Sequence, residues 1–67
     1  MKNDKEKLKI LLEHWIKHNN EHLQEFQKWA KKAKVSGNIS VHNDILRAVE
    51  KMREVNKYLA NGREKLE

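Results

Sequence analysis

The chain has 67 residues, with 15 Lys and Arg against 10 Asp and Glu for a formal charge of +5, and it contains two glycines, no proline and no cysteine. One domain is the upper bound at this length, and without thiols any metal ligands must be imidazole, carboxylate or amide groups. No run of about 18 apolar residues suggests a membrane span, and the charged segment from Met1 to Lys9 lacks the apolar stretch of a secretory leader, so a cytoplasmic protein is the expectation.

The composition is rich in Lys, Glu, Leu and Ala, all good helix formers, and predicts an all-α chain. In the first half Leu8, Leu12, Trp15, Ile16, Asn19, Leu23, Phe26, Ala30 and Ala33 recur at three- and four-residue steps, the period of an amphipathic helix. This predicts a helix over residues 4–34. Leu11, Trp15 and Trp29 widen its apolar arc past the seam that one partner helix needs, so they are candidate interface residues, with the tryptophans as anchors.

A break is predicted at residues 35–39, where Gly37 or Asn38 can take the left-handed conformation that ends helices. Ser40 then reads as the N-cap of a second helix, with Asp44 near the positive end of its dipole. That helix is predicted over residues 40–63, with a stripe of Val41, Ile45, Ala48, Val49, Met52, Val55, Asn56, Leu59 and Leu66, fraying near Asn61 and Gly62.

Two long helices joined by so short a loop are antiparallel neighbours, an αα-hairpin. With the loop centred near Gly37, facing residues should have numbers summing to about 75. This sets Ala30 against Ile45, Phe26 against Val49, Leu23 against Met52 and Ile16 against Leu59. It also sets Asn19 against Asn56, the polar residues in the middle of the two stripes. Paired carboxamides satisfy each other where either alone would be an unsatisfied group costing about 1–3 kcal/mol, and such a pair fixes register as a polar core residue does in a coiled coil. Because a core this small rarely supplies more than about 3–5 kcal/mol, the expected state is a homodimer forming an antiparallel four-helix bundle.

The run His14-Trp15-Ile16-Lys17-His18-Asn19-Asn20-Glu21-His22 carries the functional signal. On a helix each successive histidine sits about one turn further along the same flank, with Cβ atoms about 5–6 Å apart. Two histidines four residues apart are a recurrent metal-binding pair; here there are two overlapping pairs, with Glu25 three residues beyond His22 and Glu21 three beyond His18, both within reach of the same flank, and Glu25 the candidate for a further ligand. Imidazole suits nickel, copper and zinc alike. A single histidine on such a margin would ordinarily just pack there with its nitrogens hydrated; three in register make a metal the stronger expectation. His42 falls opposite Ala33, far from this ladder, and is a weaker candidate.

Catalysis is not expected. There is no Glu-x-x-His repeat of the di-iron bundles, no serine or cysteine placed beside a histidine as nucleophile, and no His-Glu-x-x-His signature. The basic cluster Lys28, Lys31, Lys32 and Lys34 falls in the last turns of the first helix, where cations meet the negative end of the dipole. No base-reading motif accompanies it, so nucleic acid is not the expected partner.

The segment Leu11-Leu12-Glu13-His14-Trp15-Ile16-Lys17-His18-Asn19, with His22, Phe26 and Trp29, and then Met52, Asn56 and Leu59, resembles a group of small prokaryotic helical-hairpin proteins bearing a His-Trp-Ile-x-His-Asn-x-x-x-His signature. The resemblance covers most of the chain, and His14, Trp15, His18, Asn19, His22 and Asn56 match the pattern. It implies a companion of nickel-handling or other metal-trafficking systems and says nothing about reaction chemistry. The expected function is therefore a non-catalytic metal-binding protein for trafficking or sensing. The alternative is an adaptor whose tryptophan-bearing face docks a partner protein without a metal.

Overall fold

The computed structural model describes the backbone of residues 2–66 and the side chains of residues 4–66. It consists of α1 (Lys2–Val35) and α2 (Ile39–Glu64), packed side by side as an antiparallel hairpin with principal extents of 52 × 14 × 12 Å. Asp4 in the first turn of α1, and Lys32 and Lys34 in its last, complement the helix dipole.

The connection is only Ser36-Gly37-Asn38, tighter than the five residues the sequence suggests. Gly37 has φ +87°, a conformation in which a Cβ would be strained. Its amide donates to the carbonyl of Lys34 at 3.1 Å, and the amide of Asn38 donates to that of Ala33 at 2.8 Å, the paired bonds of a Schellman motif. The Ser36 hydroxyl donates to the carbonyls of Lys32 and Ala33, and Asn38 Nδ2 donates back to Ser36 Oγ.

This turn moves the start of α2. Asn38, not Ser40, is the N-cap residue, and its carboxamide is engaged with Ser36 rather than with the amides of the first turn. Ser40 lies inside the first turn and is exposed, and Asp44 falls beyond the first turn, which contains no acidic residue. The Schellman motif completes the reversal by Asn38, so no further residues are needed before the helix begins.

The far end also departs from expectation. α2 does not fray at Asn61 and Gly62 but continues to Glu64, with the amide of Lys65 still donating to the carbonyl of Asn61. Arg63 Nε donates to Glu13 Oε1 at 2.7 Å and ties this last turn to α1.

The core is thin. Leu12, Leu23, Ala30 and Val49 are buried, while Ile16, Phe26, Ile45, Met52 and Leu59 are half-buried along the same seam. The register follows the predicted rule: Asn19 Nδ2 donates to Asn56 Oδ1 at 2.9 Å, and Asn56 Nδ2 donates in turn to Asn20 Oδ1 at 3.0 Å. Near the loop, His42 Nδ1 lies 2.7 Å from the carbonyl oxygen of Ala30, to which it donates. No helix among the described residues is long and apolar enough to cross a membrane.

Candidate metal centre and apolar face

Because residues 14 to 22 are continuous helix, the three histidines do form a ladder along one exposed flank of α1. His18 and His22 converge: their Nε2 atoms are 3.0 Å apart and their rings meet edge to face, with centroids 4.5 Å apart. Each is braced from outside the pair. His14 stacks on His18 at 6.2 Å, and Phe26 stacks on His22 at 5.9 Å.

Two Nε2 atoms in hydrogen-bond contact need one donor and one acceptor, so one ring carries a proton on Nε2 and the other presents a lone pair. The Glu21 carboxylate lies 3.7 Å from His18 Nδ1, on the outer side of the pair. Replacing the shared proton by a cation would leave both Nε2 lone pairs facing it.

The carboxylate the structure places against the ladder is thus Glu21. Glu25, the ligand candidate from spacing, is exposed beyond His22. His14 contributes ring stacking to the pair, and among the described residues no three of His, Asp and Glu converge as a metal-ligand set. Asn19 faces the seam, where its carboxamide engages Asn56. Asn20, the third member of that network, was not singled out from sequence; the signal was that a carboxamide at Asn56 has donors and acceptors to satisfy and two adjacent asparagines opposite it. His42 has its Nδ1 committed to the Ala30 carbonyl.

The ladder lies on the margin of a wider apolar face. Leu11, Trp15 and Trp29 are 43%, 41% and 54% exposed. At about 100° per residue, these side chains and the histidine pair form a stripe about a quarter-turn from the buried seam. On α2, Val41, Ala48 and Val55 are exposed and lie about a quarter-turn from Val49 and Asn56. Since the helices run in opposite directions, the two stripes turn to the same side of the hairpin and make one surface. The opposite side is mostly polar, with Glu13, Asn20, Lys31, Arg53 and Lys57. Lys32 Nζ sits 4.5 Å from the Trp29 ring centroid at the edge of the apolar face.

These features define an all-α helical hairpin with a histidine pair set on an uncovered apolar surface. The chain belongs to the family described as Domain of unknown function (DUF8180), whose match spans residues 8–66. No curated protein and no solved structure matches it.

Proposed function

We propose that this protein is a non-catalytic metal-binding hairpin that takes up a divalent ion of the nickel, copper or zinc type, with His18 and His22 as its primary ligands. The observation that carries this reading is the 3.0 Å separation of the two Nε2 atoms. With metal–nitrogen bonds of about 2.0–2.1 Å, two nitrogens in neighbouring coordination positions lie about 2.9–3.4 Å apart. The pair therefore needs little rearrangement to chelate. His14 and Glu25, one turn to either side, are available to extend the ligand set. Trafficking or sensing fits such an exposed, partly filled site better than structural metal binding, which uses closed spheres.

Isothermal titration with Ni(II), Cu(II) and Zn(II) tests the reading. Binding by the wild type, at least a tenfold loss of affinity in His18→Ala and in His22→Ala, and retention in His42→Ala are expected. Equal isotherms for all four proteins would remove the ladder from consideration. Because ligation needs unprotonated imidazole, binding should weaken on acidification.

The exposure of Trp15 and Trp29 favours a second reading, an interaction module that works without metal. Association that persists undiminished in excess chelator and in His18→Ala would favour it.

A further inference from the structure

The apolar face has an internal symmetry that a single hairpin does not use. On α1, Leu11 and Trp29 are equidistant from Asn20 along the chain, as are His18 and His22, and Trp15 and Phe26 differ from equidistance by one residue. On α2, Ala48 and Gly62 are equidistant from Val55, and Met52 and Leu59 differ by one. The two centres coincide, because the register fixed by Asn19 and Asn56 puts Asn20 and Val55 at the same level of the hairpin. The central part of each stripe, from Leu11 to Trp29 and from Ala48 to Gly62, thus reads alike in both directions from one shared level to within one residue.

We infer that a second copy of this chain covers this face, related by a two-fold axis that lies in the plane of contact, perpendicular to the helices and level with Asn20 and Val55. That axis sets α1 antiparallel to the partner's α1. Leu11 then meets the partner's Trp29, and Trp15 meets the partner's Phe26. His18 and His22 meet the partner's His22 and the partner's His18, so four imidazoles gather in one cluster that neither chain completes alone. Val55 meets the partner's Val55 across the axis, and Ala48 meets the partner's Gly62.

Three further observations select a second copy as the occupant. Glu25, between His22 and Trp29, and Lys51, between Ala48 and Val55, border the two stripes, but the axis sets Glu25 level with the partner's Trp15 and Lys51 level with the partner's Leu59, so a self-pairing brings no like charges together in the middle of the contact. The face of a hairpin 52 Å long and 14 Å wide has a footprint of about 700 Å² per copy, or about 1,400 Å² for the pair, within the range of stable complexes. Gly62 also acquires a reason. It stands inside α2, where glycine costs about 1 kcal/mol relative to alanine, and a Cβ built on it would touch nothing within 4 Å in its own chain. Opposite a partner's Ala48 the missing side chain lets the helices approach closely.

A cluster of four imidazoles fills a tetrahedral sphere without Glu25. Its use as a ligand set rests on the metal reading above; the position of the axis does not.

The chain has no native cysteine, so cross-linking through Val55→Cys tests the axis directly. Val55 is exposed and the substitution is conservative in volume, so the fold is not threatened. Under mild oxidation Val55→Cys should form a disulfide-linked dimer, while Leu46→Cys, on the opposite side of α2, should not. Sedimentation of the wild type in chelator at tens of micromolar should give twice the chain mass. Zinc titration of the cross-linked dimer should saturate at one ion per two chains.

A monomer at that concentration, or a dimer in which Leu46→Cys links and Val55→Cys does not, would overturn the inference. Saturation at one ion per chain in the cross-linked dimer would overturn the shared cluster as a single site. An efficient Val55→Cys link with no metal bound would refute the metal reading and uphold the axis.

Discussion

The seam between the helices and the face beside it are built from the same kinds of residue, yet they differ in completeness. In the seam the polar groups are matched: the carboxamides of Asn19, Asn20 and Asn56 engage one another, and among the described residues no buried side-chain nitrogen or oxygen lacks a partner. The face carries larger apolar side chains than the seam buries, with Trp29 more than half exposed, and an exposed histidine pair whose Nε2 atoms face each other. A core of Leu12, Leu23, Ala30 and Val49 is small even for a short chain. The contrast teaches that the seam sets the shape of the hairpin and leaves the face free for the proposed second copy and ion.

The sharpest way to break the contrast is to charge the seam. Val49→Asp places a carboxylate where nothing can pair with it, a change expected to cost more than about 3 kcal/mol, comparable to all that a core of this size supplies. Circular dichroism should show helicity largely lost. If helicity persists, Val49 is not at the centre of the packing.

The next effect belongs to the face. If the face is covered by a second copy, the urea midpoint of the wild type rises with chain concentration. Trp29→Ala should remove about 2 kcal/mol or more of association energy, as anchor residues do, and should move the concentration dependence to higher concentration. Identical midpoints for the two proteins across a hundredfold dilution series would show that Trp29 anchors nothing.

A smaller effect is expected from the asparagines. Asn56→Ala strands the amide of Asn19 in the seam and should cost about 1–3 kcal/mol. Replacing both Asn19 and Asn56 by leucine should cost less than the single change, at the expense of a fixed register. A double-mutant cycle with no coupling would dismiss the network.

The smallest effect separates the sequence expectation from the structure. Ser40→Ala should alter stability by no more than about 0.5 kcal/mol, as an exposed change does, where loss of an N-cap would cost about 1 kcal/mol. A cap-sized loss in thermal melts would restore Ser40 to that role.

Much of the hairpin was legible in the residues. The apolar period located both helices, and counting outward from Gly37 placed Asn19 opposite Asn56, which the 2.9 Å hydrogen bond bears out. Other features were not legible, for physical reasons. Ser40 is a good capping type, but a cap is decided by where the preceding turn ends, and that depends on the Gly37 backbone conformation. Gly62 looked like a breaker because local propensity cannot register the Arg63–Glu13 tie to the other helix. At the candidate site, spacing identified the ladder but could not distinguish Glu21 from Glu25 as the carboxylate beside it, because side-chain rotamers settle which one turns toward His18.

The three-residue turn at Ser36-Gly37-Asn38 has one further consequence. It serves as the origin of a ruler, since the height of every side chain along the rod is counted from it. A chain so anchored tolerates growth or shrinkage only in matched steps: residues inserted in one arm must be answered by the same number in the other, and whole heptads disturb the stripes least. Unmatched insertions between the turn and the asparagines would slide one arm past the other, so lineages descended from this hairpin should vary in length chiefly at its open end.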